Sequence, residues 1–585
     1  STAHLRNAVV RLPEGVSVSP GAADGLAACS EDQVGYGVSP PPPANCPPAS
    51  KIGTVRIDSP SLTEPIDGSI FQRTPEPGHL FRVWLVADEL GVHAKIPGEF
   101  RLDPSTGRVT SLFLDAPQVP VRELQLSFKG GARGVLSTPR RCGNYAAEYV
   151  LTPWSGNGDV QDGLPLAIDQ NCGAGGFSPI FRAGSLEPVG GAFSTFVTEL
   201  TQISGEENLA RLQMTMPPGF LARLKGVELC PEGGTAAGAC PGASLVGHST
   251  VAAGFGPNPL WLPQPGRTPT GVYLAGAYRG APYSLVVKTP AEAGPFDLGD
   301  VIVRVALRVD PETTQVTAVS DPLPQIVEGV PVAYRAIGIS LDRANFALNP
   351  TRCEPMQVTA IANSIDGSTA SLASRFQVSG CARLAFKPKL KLALRGPTER
   401  SGNPALSARL SMGGKDANIA RARVSLPPSL QIDNAHINNP CTRVQFAADA
   451  CPKKSILGWA RASTPLLGEP LSGPVYFRSN GGDRELPDLV ADLHGPIDVV
   501  LVGFIDSKDR RIRTTFASVP DAPVSRFQLR LFGGKRGLLE NNRDLCRSTA
   551  RAIQQFGGHN GKVATFKSEL ELPCKKKPAR RGEQH

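Results

Sequence analysis

Twelve cysteines are the residues whose type and spacing promise chemistry in this 585-residue chain. They fall into three sets of four: Cys29, Cys46, Cys142 and Cys172; Cys230, Cys240, Cys353 and Cys381; Cys441, Cys451, Cys546 and Cys574. The first two of each set stand 17, 10 and 10 positions apart, and the last two 30, 28 and 28. An even count in so regular a pattern points to disulfides, two per set, and so to an oxidising compartment. Structural zinc favours CxxC-like spacing, which no pair has, and a nucleophilic cysteine would leave an odd thiol. Four cysteines allow three pairings. First with second and third with fourth is favoured, because these partners are near in sequence and each unit then closes independently. A closed loop of that length stabilises by roughly 2–4 kcal/mol.

Other chemistry is sparse. The eight histidines (His4, His79, His93, His248, His436, His494, His559 and His585) form no His-x-x-x-His pair, and none recurs in all three sets. There is no Gly-x-Ser-x-Gly elbow, and Gly414-Lys415 continues into Asp416 where a phosphate loop needs Ser or Thr. Ser50, Ser244 and Ser455 recur, but no histidine or carboxylate recurs with them, so they read as backbone caps. Asp159, Asp162 and Asp169, with Asn157 and Asn171, offer oxygens to calcium in a Gly-rich loop, although their spacing fits no EF-hand. No catalytic, cofactor-binding or metal-binding residue is assigned, and the expectation is a protein that is not an enzyme and carries no cofactor.

The elements that position the cysteines repeat with them. Cys46-Pro47-Pro48-Ala49-Ser50-Lys51-Ile52-Gly53, Cys240-Pro241-Gly242-Ala243-Ser244-Leu245-Val246-Gly247 and Cys451-Pro452-Lys453-Lys454-Ser455-Ile456-Leu457-Gly458 keep Cys, Pro, Ser and Gly at the same offsets. The chain is therefore an array of three homologous units: 1–172, 173–381 and 382–585. In unit one a strand over Leu5 to Pro13 leads to a short helix over Ala22 to Glu31 carrying the first cysteine. A stiff loop with Pro40 to Pro43 then leads to the second cysteine. Period-two alternation marks a strand at Thr54–Ile57 and, in part, at Val121–Phe128, with Phe81–Val86 following the first of these. Asp103-Pro104-Ser105-Thr106-Gly107 is a turn between strands, echoed by Asp310-Pro311-Glu312-Thr313.

Residues 173–207 and 382–417 are lead-ins to units two and three, with strands at Phe193–Leu200 and Leu406–Met412. Unit one starts directly at His4-Leu5-Arg6-Asn7, the register that follows those lead-ins. An unpaired edge in unit one is the consequence. Two explanations stand: truncation or processing upstream of Ser1, or a strand supplied by a neighbouring molecule, which would give head-to-tail filaments.

Composition bounds the rest. Gly 62 and Pro 55 suit many short strands joined by turns, and 41% apolar with 19% charged residues is globular. The longest apolar run, Val499 to Ile505, is too short to span a membrane. No signal peptide is visible, as expected if a leader has been removed. The net charge of +9 includes Lys575, Lys576, Lys577, Arg580 and Arg581 in the tail, read as a solvated terminus. Aromatics at 6% and the lack of interleaved basic and aromatic residues argue against nucleic acid.

With the Leu426-Pro427-Pro428 element and its counterparts Leu12-Pro13-Glu14 and Met216-Pro217-Pro218, and the repeated Cys-Pro-x-x-Ser and Asp-Pro elements, in view, the chain resembles the large secreted repeat proteins common in high-GC Gram-positive bacteria. Leu12-Pro13-Glu14-Gly15, Gly280-Ala281-Pro282-Tyr283, Gly294-Pro295-Phe296-Asp297-Leu298-Gly299 and Asn345-Phe346-Ala347-Leu348-Asn349-Pro350-Thr351 carry the resemblance, which covers nearly all of residues 1–574. That family has no established activity. The resemblance implies a secreted, cell-surface setting, supplies no site residues, and implies an upstream portion that this chain lacks. The expected fold is all-β: three tandem antiparallel sandwich or barrel-like units with Greek-key connections, each with a short helix and two disulfides. The expected function is an extracellular structural or adhesive repeat protein whose partner is another copy of itself. The alternative is a module binding carbohydrate or cell-wall polymer, for which Trp84, Trp154, Trp261 and Trp459 are few. A third is a hydrolase with a site assembled only in space.

Overall fold

The computed structural model describes residues 3–89, 91–170, 172, 175–437, 439–547 and 549–574. Asn171, the basic residues of the tail and His585 lie outside the described residues. Among those described, the chain forms three large antiparallel sheets of nine, twelve and eleven strands, accompanied by small two-stranded ones.

The same plan underlies all three. In unit three a meander of consecutive strands runs from Ile456–Ser463 to Arg511–Phe516. The next strand, Arg526–Leu531, returns to pair beside Ile456–Ser463, the long return of a Greek key. The opening strand Ile419–Ser425 sits at the meander's far side, flanked by Arg551–Gly558 and then Val563–Glu569. Units one and two repeat this with return strands Glu123–Phe128 and Tyr334–Leu341.

The lead-ins are hairpins with two strands each. Ile180–Ser185 pairs with Phe196–Thr201, which pairs with the return strand of unit two. Lys389–Arg395 pairs with Ala405–Ser411, which pairs with the return strand of unit three. The far ends of these two sheets then meet. In unit two the Ser374 hydroxyl accepts from the Ala183 amide at 2.9 Å and donates to its carbonyl at 3.1 Å. In unit three the Leu394 amide donates to the Glu571 carbonyl at 2.8 Å, and the Glu571 amide to Leu392 at 2.9 Å. Both sheets thus curl into barrel-like units. Unit one, without a hairpin, is a half-barrel ending on Glu123–Phe128 at one edge and Val160–Ile168 at the other.

The cysteines pair first with second and third with fourth in every unit, and none is free. One expectation needs correction. The helix does not span Ala22 to Glu31 or carry Cys29. Pro20–Ala23 is a single 3-10 turn, Cys29 bridges Arg73 in extended form, and helix α1 (Glu31–Val34) follows it. The cause is local: Gly25 takes φ +73°, and Ser30 starts the helix with a reciprocal capping box to Gln33. Helices α2 (Glu232–Thr235) and α3 (Arg443–Ala447) occupy the matching places.

Candidate functional site

The Cys-Pro corner is structural. After each cysteine the chain makes a 3-10 turn, and the buried Ser50, Ser244 and Ser455 hydroxyls donate to the Pro47, Pro241 and Pro452 carbonyls at 2.6, 2.7 and 2.7 Å. A β-bulge follows, and the recurrent glycine sits where the return strand crosses. A Cβ at Gly53, Gly247 or Gly458 would lie 2.5, 2.0 or 1.9 Å from the carbonyl of Ser127, Ser340 or Arg530. The first cysteine of each unit docks its amide on the meander at 2.8 Å, to the carbonyls of Gln72, Leu274 and Phe477. Each disulfide loop thereby lids one face of its sheet. In unit one its Val34 packs over Trp84 and Val86 of the sheet, with the Arg73 guanidinium 4.4 Å above the Trp84 ring.

The Asp-Pro turns also have structural work. Asp103 accepts from the Ser105 and Thr106 amides at 2.9 and 2.8 Å and from the Ser105 hydroxyl at 2.6 Å. Those bonds hold its carboxyl far below the usual range. At Asp310, burial pulls the pKa up, but bonds from Thr313 and Glu312 outweigh it and leave it lowered. Both turns abut the following unit. A Cβ on Gly107 would lie 2.6 Å from Pro331, and the Pro311 carbonyl accepts from the Val500 amide at 2.8 Å.

The junctions are continuous. The tip of the hairpin joining Tyr283–Ala293 to Phe296–Val309 enters unit one, where Phe296 and Phe81 lie 5.1 Å apart. Between units two and three, the fully buried Asp521 carboxylate accepts from the Thr351 amide and hydroxyl at 2.8 and 2.5 Å, the Asn418 side chain at 2.9 Å and the Arg352 amide at 3.2 Å. Beside it, His559 accepts from Arg352 at 3.0 Å and donates to the Val519 carbonyl at 2.9 Å, an assignment that requires the neutral ring. Burial, with the Arg352 charge behind it, lowers the His559 pKa against the pull of Asp521. Sequence reasoning missed Asp521, whose Pro-Asp-Ala-Pro setting reads as an ordinary turn.

The remaining sequence candidates do not converge. Strand Val160–Ile168 separates Asp159 from Asp169 by its whole length, about 30 Å at the usual strand rise. The calcium lead at Asp159, Asp162 and Asp169 is thereby dispersed, with Asn171 outside the described residues. Among the described residues no group of three His, Cys, Asp or Glu side chains could hold a metal. His79, His93 and His248 each meet one carboxylate, of Glu99, Asp88 and Asp342, at 2.8, 2.9 and 2.8 Å. His494 lies just past the strand Asp488–Leu493 between Asp492 and Asp498, at 3.2 and 3.0 Å. Burial works against its charge, but those two carboxylates prevail and raise its pKa. Trp84 is buried, whereas Trp154, Trp261 and Trp459 are exposed.

Two features stand out as places where something could bind. The first is the open seam of unit one. Val160–Ile168 is exposed on both faces, with Val160 at 57% and Leu164 at 56%, and the free edge of Glu123–Phe128 carries exposed Leu124. The second is the apolar interior. A cavity of about 500 Å³ runs from unit one into unit two, and another of about 320 Å³ fills the axis of unit three.

No protein-family model and no curated protein matches this sequence. Among solved structures, a tetra-tandem repeat in the extending region of a large adhesion protein aligns at 9% identity, covering 89% of this chain and 92% of that one, with a TM-score of 0.12. Extracellular cadherin domains 1–5 of protocadherin gamma B2 align at 8% identity over 82% and 92%, with a TM-score of 0.07. At those scores neither likeness carries an argument. The class this structure defines is an all-β, disulfide-stapled tandem array, and no helix among the described residues is long and apolar enough to cross a membrane.

Proposed function

We propose that this chain is an extracellular structural or adhesive repeat protein, without enzymatic activity, whose first unit is completed by β-strands added from a neighbouring copy. Six disulfides support the oxidising, extracellular setting, and the resemblance to secreted repeat proteins of high-GC Gram-positive bacteria points the same way. The carrying observation is the return strand Glu123–Phe128, which ends its sheet where units two and three each place a hairpin. An unpaired edge with exposed apolar side chains is a template for strand addition. Head-to-tail addition does not close on itself, so the assembly it builds is a filament.

The test is complementation. Peptides covering residues 177–203 and 386–413, the hairpins of units two and three, are titrated onto the chain while amide exchange is followed. Binding with new protection at Glu123–Phe128 is the expected result, and electron microscopy of the untreated protein at rising concentration should show head-to-tail particles. Slow exchange, in an isolated monomer, at those amides of Glu123–Phe128 that do not face Lys51–Asp58 would remove the vacant edge and with it this reading.

A second reading is binding to cell-wall polysaccharide. Trp261 and Trp459, each 53% exposed, offer flat faces to sugar rings. Saturable pull-down of the monomer on wall polymer, lost in Trp261→Ala and Trp459→Ala, would favour it. The hydrolase reading draws no support from the interior, since no charged side chain lines either cavity.

A further inference from the structure

Along the two central strands of unit two, Tyr283–Ala293 and Phe296–Val309, the inner face is less tightly packed than the face beneath the disulfide loop. On those strands Val286 packs with Cys230 and Ala275 beneath the Cys230–Cys240 loop, and both Val286 and Ala306 are buried. Their inward neighbours Leu285, Val287, Val303, Val305 and Leu307 are only half-buried, although they face the axis of the unit. Protein interiors are ordinarily packed as densely as organic crystals. Incompletely buried aliphatic side chains along a barrel axis mean that the wall leaves room for something else.

That room has a definite chemistry and shape. Its lining is aliphatic and phenyl side chains with a few hydroxyls and amides, and it includes no charged residue. Several of the polar groups are already used within the protein, although the Thr314 hydroxyl on the second cavity is left without a partner. Ser249 and Thr289 meet at 3.3 Å, Tyr334 donates to the Pro324 carbonyl at 2.8 Å, and Gln72 donates to the Arg82 carbonyl at 3.0 Å. Sugars, nucleotides, ions and water would find few partners there. The two cavities share Leu221, Ala222, Leu224, Leu307 and Val316 as wall residues, so they adjoin along the stacked units. Their volumes fall in the usual range for small-molecule pockets. The lining runs from Leu12 in unit one to Phe346 in unit two, and it includes Leu126 and Phe128 on the edge strand of unit one.

We propose that the apolar interior of this array binds a long-chain acyl group, threaded along the axis from unit one into unit two. Hydrocarbon supplies the dispersion contacts that the inward row lacks and asks for no hydrogen bond. This site is separate from strand addition at the seam and stands whether or not copies associate.

The test uses the full chain with its disulfides intact, stripped of adherent lipid on a hydrophobic resin, and titrated with a fluorescent polyene fatty acid. Saturable enhancement displaced by palmitate and untouched by a disaccharide is expected. Val305→Trp, which fills the cavity from its wall, should weaken uptake at least tenfold, while Ile361→Trp on the outer surface should not. If Val305→Trp does not fold, solvent extraction of the natively purified protein decides, with acyl compounds in the extract supporting the proposal and their absence counting against it. Displacement by free palmitate alone assigns a free acid, and transfer of a labelled chain from phosphatidylglycerol vesicles assigns a membrane lipid; either supports acyl binding. No saturable uptake, or unchanged uptake by folded Val305→Trp, overturns it.

Discussion

Units one and three carry the same Cys-Pro corner, bulge, meander and return strand, yet they finish differently. In unit three the final strand Val563–Glu569 alternates exposed and half-buried positions, as a strand with one face toward a core should. Its counterpart Val160–Ile168 in unit one is exposed almost throughout. Unit three gathers a core extending from Leu392 to Leu570, whereas the main cluster of unit one is Ile52, Val55, Ile70, Val83, Leu85 and Phe113. The difference is the hairpin. Without Lys389–Arg395 and Ala405–Ser411, nothing would join the return strand to the end of the sheet, and the last strands would lose the surface they pack against. Local corners form regardless of closure, while burial of the far strands depends on it.

The comparison can be broken most directly at the junctions. Asp521→Ala orphans the Thr351, Asn418 and Arg352 donors and should cost on the order of 3–5 kcal/mol, read as a lower urea midpoint and faster proteolysis between units two and three. At the other junction Arg140 pairs with Asp366, a partly exposed contact, and Arg140→Ala should cost about 1 kcal/mol or less. Equal losses at the two sites would show that the junctions do not differ as drawn.

Next in size are the disulfides. Cys441→Ser with Cys451→Ser should remove roughly 2–4 kcal/mol, and unit three should remain folded on its larger core. The same change at Cys29 and Cys46 should abolish slow amide exchange in the meander of unit one, measured under identical conditions. A surviving unit one would mean the half-barrel is better stabilised than its exposed strands imply.

Smaller and deliberately equal effects should come from the corners. Ser50→Ala and Ser455→Ala each lose one bond to a proline carbonyl and should each cost about 1 kcal/mol by thermal unfolding. A marked inequality would mean closure does reach the corner.

The smallest effect is expected from pH. His559 has a folded pKa below its ordinary value of 6.5, so the unfolded chain binds its proton first. The stability it contributes is present above about pH 6.5 and is lost as pH falls through the lower folded value. The transition of units two and three should therefore soften on acidification, and His559→Gln should flatten that dependence. The exposed His494 has the opposite sign. Its raised pKa adds stability at low pH that fades as pH rises through the folded value.

Much of the architecture was legible in the residues. The Cys, Pro, Ser and Gly offsets marked the corners because each answers a local demand: a crosslink, a fixed φ, a carbonyl partner and a close backbone approach. Asp103 and Asp310 were legible as turns for the same reason, but nothing near them showed that the turns would press on the next unit. The first helix was misplaced because the capping pair Ser30 and Gln33 decides its start, while the apolar residues before Cys29 only resemble a helical face. The carboxylates at Asp159, Asp162 and Asp169 looked like a cluster along the chain, but an intervening extended strand separates the first from the last.

By itself the sequence determined an all-β chain of repeated, disulfide-stapled modules, since period-two alternation, cysteine spacing and turn residues act over a few neighbouring positions. Only the tertiary structure decided which sheets close, that Asp521 becomes a buried hub, and that the inward rows leave an apolar axis through the array. Those outcomes depend on pairing between strands far apart along the chain and on how much space the curled sheets enclose, quantities that no local pattern of residues encodes.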